Sequence, residues 1–509
     1  MKKIVFIILC AVAAMASVSC ARLEVNQEVP GLRVPAVINA TAGVSTRATI
    51  DGLQTSWEAG DKISVFDATG KAEGFFSADA AGTSVSFSGT KEEGDVLKYA
   101  VYPANENATC TAGVFATTIP GEQDGTINSS LAVAEESDGK FVFLNVASVI
   151  KITIPAEETA INFVAFLADN AATIAGDVTV DINNPTAVSS SAEEAVKYSR
   201  VSIYKGGQPL SGDLYMTLLP GDYSGILVFG KKDGSVRYAS TVKVAAKTYS
   251  VDKIKNFGTV ANLSWVKGAV PGVFSIDNNG RRALMSQGYI QYDAANDSWK
   301  IADTFVRLKG HDPYGVIELF RWNNAQTPTA KTDYGATQTE WSEAGDWAKK
   351  LDQPGWCIGS ISDYEFTIRQ TSKETNSRET FNLVRVSLSL VKVMDGEDYL
   401  NYSILYPDGW AGEVARFVVT SQIPETTLTA EELKSLEDRG CAILGHGGEL
   451  NKTGAYAENV NWNLWTTTWK KAKVANDFRF TFDGTKWKRE IFGKESACGF
   501  CARPFYDIN

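Results

Sequence analysis

The residues of this 509-residue chain that could carry chemistry are first its seven cysteines and two histidines. Cys498 and Cys501 form a Cys-X-X-Cys pair, a spacing found in redox sites and in one half of a zinc site. No second pair has that spacing, so a zinc site would need Cys441 and His446 as its other ligands. A disulfide from Cys441 to Cys498 or Cys501, and buried thiols without chemistry, are the alternatives.

Patterns that mark common enzymes do not occur in the chain. Neither His311 nor His446 lies in a nucleophile–base pattern, and there is no Gly-X-Ser-X-Gly elbow and no phosphate-binding loop. The acidic run at 395–398 lacks EF-hand spacing, which favours a solvated turn over a calcium loop, and we interpret the loop at 277–282 in the same way. The sequence therefore predicts no catalytic residue, no metal and no cofactor.

The first twenty residues predict export and lipid attachment. Lys2 and Lys3 precede an apolar run over residues 4–16, which is too short to span a bilayer and is typical of a signal peptide. Ser-Val-Ser-Cys at 17–20 resembles a lipobox, so we expect a signal peptide at 1–19 and acylation of Cys20. An ordinary secretory signal with an incidental cysteine is the alternative. The protein should then meet a membrane only through a transient lipid anchor.

Length and charge narrow the class of protein further. A chain of 509 residues is too long for one core, and about two to four domains are expected. The formal net charge is −11 and there is no Lys/Arg cluster, which argues against nucleic acid as a partner.

The elements that must position any site are mostly strands in the first half. Period-two alternation and Gly/Asp/Asn/Pro punctuation predict strands near Val85 and Phe87, at 141–143, 149–154, 201–204 and 226–230. That spacing is typical of β-sandwiches. We predict a mainly β chain, with sandwich subdomains at 48–157 and 158–263.

The character of the sequence changes after residue 263. Ten of the twelve tryptophans lie between Trp299 and Trp487. Thr429 and Glu432 form a capping box for a short helix that Gly440 ends, and alternating phenylalanines at 478–482 followed by Asp-Gly predict a hairpin returning through 487–491. We therefore predict an α+β domain at 264–509.

Three stretches of the first half resemble the fimbrillin-type pilins of anaerobic gut and oral bacteria. They are Arg47-Ala48 followed by the Trp-Glu-Ala-Gly-Asp-Lys-Ile-Ser-Val-Phe of 57–66, Tyr-Ala-Val-Tyr-Pro-Ala at 99–104, and Leu-Tyr-Met-Thr-Leu-Leu-Pro-Gly-Asp-Tyr at 214–223. The resemblance covers roughly residues 20–263 and implies a double β-sandwich behind a leader at 20–47. It also implies that a surface arginine-specific protease cuts between Arg47 and Ala48. A strand of the next pilin subunit would then fill the groove that the cut opens.

The second half is similar to a divergent C-type-lectin-like domain of surface proteins from the same bacteria. The matching segments include 272–275, 285–292, 317–322, 404–410 and 499–503. Arg321 and Asn323 stand where that family usually has glycines, so the surface loops and the ligand stay open. The same fold hosts formylglycine-generating enzymes with a reactive cysteine pair, but only the fold connects them with Cys498 and Cys501.

Tryptophans are the candidate ligand-binding groups of this half. An indole can stack on a sugar face or anchor a protein contact, although burial in the core is its more common role. Trp341, Trp347 and Trp356 lie in segments of poor periodicity. We select Trp462, Trp465 and Trp469 as the binding candidates.

These patterns together predict an accessory or tip pilin at the cell surface, made as an outer-membrane lipoprotein precursor. Its N-terminal half would accept a strand from another subunit, and its C-terminal half would bind a host or bacterial glycan or protein. A folded C-terminal domain would encumber a donor strand, which favours the tip. A lipid-anchored surface lipoprotein that does not polymerise is the alternative, and a surface enzyme acting on glycans or cysteines is a second one.

Overall fold

A computed structural model defines the fold, and it confirms a mainly β chain. No helix among the described residues is long and apolar enough to cross a membrane. The structure describes residues 32–42, 49–50, 53–54, 56–127, 130–190, 197–277, 279–306, 315–323, 325, 341–368, 388–395, 398–411, 428–445, 449–450, 456–457, 462–471, 474–482, 487–495 and 499–508.

The described residues of the N-terminal region form strands joined by turns and by the short 3-10 helix Asp169–Ala171. In chain order they are β1 (Arg33–Ala42), β2 (Thr49–Ile50), β3 (Leu53–Gln54), β4 (Lys62–Asp67), β5 (Ala72–Ala78), β6 (Ser84–Glu92), β7 (Leu97–Tyr102), β8 (Thr109–Thr111), β9 (Val114–Ile119), β10 (Glu122–Gln123), β11 (Ala132–Ser137), β12 (Lys140–Asn145), β13 (Ser148–Ile154), β14 (Ile161–Ala168), β15 (Ala175–Asp181), β16 (Ser189–Ser190), β17 (Lys197–Tyr198), β18 (Arg200–Tyr204), β19 (Gly212–Leu218), β20 (Gly221–Asp233), β21 (Val236–Tyr249), β22 (Ile254–Thr259) and β23 (Val266–Lys267).

The first unit is a closed barrel with the strand order β1-β12-β11-β7-β4-β5-β6. Alternate residues of each strand point inward, as the period of two requires. Trp57 lies at the centre of the barrel core and is 1% exposed. Its ring meets Phe87, Tyr102 and Phe143 edge-on, with centroids 4.9, 5.3 and 5.1 Å away. These T-shaped contacts add to the stabilisation that burial of the rings provides.

The second unit is a sandwich of three sheets around one core. Their strand orders are β10-β18-β14-β20-β21-β23, β19-β13-β22 and β16-β15-β9-β8, with β17 also paired to β15. Strands β8, β9 and β10 come from the sequence between β7 and β11 of the barrel, yet they pair with β15 and β18. The division between the units is therefore not the single cut near residue 157 that the sequence suggested, because pairing across sheets moves residues 109–123 into the second unit.

Strand β14 is buried on both faces, and its two faces belong to different cores. Val164 and Phe166 point into the sandwich core. Phe163, Ala165 and Leu167 point the other way, into a core that continues into the C-terminal region. A strand of alternating polarity would leave one face in water, whereas this continuous apolar run needs cover on both.

The neighbouring strand β20 divides in the same way. Leu227 and Phe229 join the sandwich core, while Ile226 and Val228 face the C-terminal region. There they share one apolar cluster with Val273 and other residues beyond position 263. The regions on either side of the predicted boundary at 263/264 therefore share a core.

The described residues of the C-terminal region combine short sheets with two α-helices, α1 (Ile361–Ile368) and α2 (Ala430–Asp438). Its strands are β24 (Ala269–Ser275), β25 (Arg282–Ser286), β26 (Ile290–Asp293), β27 (Ser298–Ile301), β28 (Val316–Ile317), β29 (Phe320–Arg321), β30 (Trp356–Cys357), β31 (Leu388–Asp395), β32 (Asp398–Leu405), β33 (Ala442–Gly445), β34 (Glu449–Leu450), β35 (Tyr456–Ala457), β36 (Trp462–Lys471), β37 (Val474–Phe482), β38 (Trp487–Glu495), β39 (Gly499–Phe500) and β40 (Phe505–Asp507). Among the described residues these strands form the sheets β24-β25-β40-β30, β27-β26-β28, β29-β39-β34-β35, β31-β32-β33 and β36-β37-β38.

Two local predictions in this region are confirmed. The Thr429 hydroxyl accepts from the Glu432 backbone N–H, the Glu432 carboxylate accepts from the Thr429 N–H at 2.7 Å, and Gly440 follows the helix with φ +102°. Strands β37 and β38 pair as the expected hairpin, with Phe482 opposite Trp487.

Charged side chains reinforce the junction between the two regions. Arg439 donates two hydrogen bonds to Glu122 of β10, with its Nε 2.9 Å from Oε1 and its Nη2 2.5 Å from Oε2. Arg237 of β21 bonds Asp438 at 2.8 Å. The Arg439 guanidinium also lies 4.7 Å above the ring of Trp410. Bidentate pairing of this kind fixes the relative orientation of the two side chains and also stabilises the junction.

Candidate functional site

The seat of strand β1 in the barrel is the candidate functional site, because β1 lies upstream of Arg47-Ala48. Its residues Arg33 to Thr41 pair antiparallel with β6, from Arg33 opposite Glu92 to Thr41 opposite Ser84. On its other side only residues 39–42 pair with β12, in parallel. Strand β1 therefore closes the barrel at one end and has a free edge at the other.

The side chains of β1 alternate as a half-buried strand requires. Ile38 and Ala40 are 7% and 0% exposed and belong to the barrel core, with Ala36 partly buried beside them. Val37, between them, points outward and is 64% exposed. Ile38 is the one fully buried branched side chain, and Val34 on the same face is half-buried, so β1 contributes little apolar area for a strand of its length.

The free edge of β1 carries a proline. Pro35 lies opposite Thr90 of β6, in the part of the strand that has no partner on its second side. A proline has no N–H to donate and is confined to positions of this kind in sheets. The N-terminal half of β1 is therefore held by one ladder only.

A buried carboxylate receives the side chain at the start of β1. The Glu73 side chain is 0% exposed, and its Oε2 lies 3.5 Å from Nη2 of Arg33. The same oxygen accepts the Glu92 N–H at 2.7 Å. Arg33 also donates from Nη2 to the Glu73 carbonyl and, at 2.6 Å, to the Thr90 carbonyl. The arginine thus joins β1 to β5 and β6 at the rim of the barrel.

Further charges surround this carboxylate. Nζ of Lys71 is 2.6 Å from Glu92, 3.3 Å from Asp95 and 3.9 Å from Oε1 of Glu73. Carboxylate oxygens of Asp67, Glu73 and Asp95 lie within 4.8 Å of one another. Burial, with Asp95 as its neighbour, raises the pKa of Glu73. Each cation that faces Glu73 therefore stabilises the ionised form of its carboxylate.

The residues predicted for processing lie outside the described part of the chain. This holds for the signal peptide, for Cys20 and for Arg47 and Ala48. The described chain stops at Ala42, the end of β1, and resumes at Thr49, the start of β2. The predicted cut would therefore separate β1 from every other strand.

The side chain of one of the three tryptophan candidates is described by the structure, and it is buried. Trp465 is 0% exposed and its Nε1 donates to the Phe320 carbonyl at 2.7 Å, so its ring is a core element and is not open to a ligand; this corrects the sequence expectation for it. Trp462 and Trp469 lie in β36, and their side chains are outside the described residues. Trp347 and Trp356 are also buried, since segments without periodicity can still pack into a core.

A small pocket beside Trp299 is the concavity that the C-terminal region offers instead. Its volume is about 140 Å³, and Lys267, Lys300 and Asp303 line it together with Trp299 and Trp356. The Trp299 ring stacks on Phe320 at 5.4 Å and is partly exposed. The sequence pointed to other tryptophans, because the turn that brings β27 beside residues 351–356 is a tertiary feature.

The cysteines supply no crosslink from Cys441. This residue has a free thiol and is 0% exposed, so the alternative of a disulfide to Cys501 is not realised; Cys498 lies outside the described residues. Burial raises the pKa of the Cys441 thiol and raises that of Cys357 to about 11. Such thiols stay protonated and are poor nucleophiles.

Comparison with protein-family models, with curated proteins and with solved structures finds no match to this chain.

Proposed function

We propose that this protein is an accessory or tip subunit of a cell-surface fimbrium. Its barrel would accept a strand from another subunit, and its C-terminal region would carry adhesion. The observation that supports this best is the order along the chain: β1 precedes Arg47-Ala48, and all other strands of the barrel follow it. Loss of β1 would leave two strand edges and a row of apolar residues for a new strand.

The proposed exchange follows from the two ladders of β1. Removal of residues 33–42 would leave the N–H and C=O groups of β6 without partners along nine positions. It would also uncover the core positions next to Ile38 and Ala40. Unpaired backbone groups beside an apolar groove are costly, and a strand in the same register satisfies both at once.

The last strand of the C-terminal region is not available as a donor in this fold. Strand β40 lies inside a sheet, between β25 and β30, and Phe505 is 1% exposed. Its release would break two ladders and uncover part of the core. This supports a subunit that accepts a strand with its barrel and donates none from β40.

Sequencing the N-termini of the surface-assembled protein tests the proposal. Mature chains should begin at Ala48, and Arg47→Gln should abolish both processing and assembly. Arg22→Gln, in the same leader, is the matched control and should leave both unchanged. If the protein at the surface carried only acylated Cys20 and none of it was assembled, it would be the non-polymerising surface lipoprotein instead.

Adhesion is the second part of the proposal, and the pocket beside Trp299 is the place to examine first. Exposed Lys300 and Asp303 next to an aromatic ring are groups that hold polar ligands with an apolar face. The full chain should be used for a glycan array, because a fragment starting at 265 would lose the core that it shares with β14 and β20. Binding that Lys300→Ala and Asp303→Ala reduce, with Lys349→Ala as a control outside the pocket, would support this site. Binding that all three variants retain would exclude it.

A further inference from the structure

We infer that Glu73 selects the strand that enters the barrel by requiring a basic residue at the position of Arg33. This inference rests on the proposed strand exchange and specifies the chemistry of the partner. The groove would accept an extended segment of a neighbouring subunit with Arg or Lys at its start. Small or aliphatic residues would follow at the inward positions.

The first step in the argument is what departs with β1. Arg33 is the residue of β1 that contacts Glu73, and it leaves when β1 leaves. Lys71 then faces three carboxylates, those of Glu73, Glu92 and Asp95. Oε1 of Glu73 already accepts no hydrogen bond from the described residues. The empty groove is thus short of positive charge at one end.

The second step is the cost of leaving that charge unpaired. Glu73 lies in strand β5 and is 1% exposed while β1 is in place, with Arg33 and Lys71 facing its carboxylate. Departure of Arg33 therefore leaves Lys71, 3.9 Å away and shared with Glu92 and Asp95, to face this carboxylate, which is an unfavourable balance of charge. An incoming strand with a cation in the same place removes this penalty, whereas a neutral strand does not.

The third step concerns the neutral positions of the groove. Ala36 lies opposite Gly89 of β6, and a Cβ on Gly89 would come within 2.6 Å of the Phe76 ring. The ring therefore already fills the space at this pair, which leaves room for a small side chain in the incoming strand. Ile38 lies opposite Phe87 in the barrel core and is the largest inward residue of β1. The groove should therefore accept a basic residue at the position of Arg33, a small one at that of Ala36 and an aliphatic one at that of Ile38.

Peptide rebinding tests this inference without relying on the natural protease. The full chain is given a specific protease site within residues 43–46 and cut there, and β1 is exchanged for labelled peptides in EDTA. The native peptide spans residues 32–42. The variants carry Arg33→Lys, Arg33→Gln, or Arg33→Gln with Val37→Arg, which keeps the net charge but moves it four residues along the same face of the strand, away from Glu73.

The lysine peptide should bind within about threefold of the native one, and both glutamine peptides about tenfold more weakly, as expected for loss of a charged hydrogen bond that is partly open to water. Glu73→Gln should remove most of this difference. Equal binding of the native and Arg33→Gln peptides would overturn the inference, as would full binding of the relocated charge. If no peptide entered the groove, including the native one, strand exchange itself would fail.

Discussion

Ile38→Ala should weaken the binding of β1 to the barrel about a hundredfold more than Val37→Ala does. Ile38 is 7% exposed and packs in the barrel core, whereas Val37 is 64% exposed. Loss of a buried isoleucine side chain costs roughly 2–5 kcal/mol, and we take about 3 kcal/mol for this rim position. Because about 1.4 kcal/mol is a factor of ten, 3 kcal/mol corresponds to roughly a hundredfold. Val37→Ala should cost less than about 0.5 kcal/mol.

The assay compares both variants in the chain with a cleavable segment after β1. Once the segment is cut, release of the labelled β1 fragment is followed over time by gel filtration, and the intact chains are unfolded in urea. Ile38→Ala should release β1 much faster and lower the unfolding midpoint, and Val37→Ala should behave like the unmodified chain. Equal effects of the two substitutions would refute the inward register of β1, and with it the groove.

Four further results are expected. Burial raises the pKa of Asp346 from 3.8 to about 6. The stability that its protonated form provides is therefore present below pH 3.8 and lost as the pH rises through 6. Asp346→Asn should remove roughly 2–3 kcal/mol of this pH dependence, measured by urea titrations at pH 4 and pH 7. Thr429→Ala should cost about 1 kcal/mol through loss of the helix cap, with Thr429→Ser nearly neutral. Glu122→Gln should cost about 1–2 kcal/mol, since it weakens the bidentate pair with Arg439. A chain that ends at residue 263 should bind hydrophobic dyes and aggregate, because the outer faces of β14 and β20 lose their cover.

Three of these results have a clear opposite. A pH dependence of the same size in Asp346→Asn would mean that other groups cause it. A soluble, cooperatively unfolding chain ending at 263 would show that the shared core is dispensable. An unchanged urea midpoint for Glu122→Gln would mean that the apolar contacts alone stabilise the junction between the two regions.

Strands, helix α2 and the final hairpin were predictable because their signals are local. The capping box needs residues three positions apart, and the alternation of β37 and β38 needs only a period of two. The continuous apolar runs of β14 and β20 are typical of a sheet that is covered on both faces.

The candidate site depended on contacts that no local signal contains. Arg33 meets Glu73 across forty positions of sequence, and only the closure of the barrel brings them together. Trp465 could not be distinguished from an exposed tryptophan, since its partners, the Phe500 ring and the Phe320 carbonyl, lie in other strands. The same is true of residues 109–123, whose strands leave the barrel to pair in the second unit.

The sequence by itself determined the mainly β class, the ends of its clearest elements and the pattern that predicts an exported lipoprotein. The tertiary structure decided which core each strand face joins, that the two regions share one, and that β1 closes a barrel beside a buried carboxylate. The physical reason is that hydrogen-bond periodicity and caps act over a few residues. Apolar cover and the pairing of buried charges depend on residues that meet only after the chain has folded.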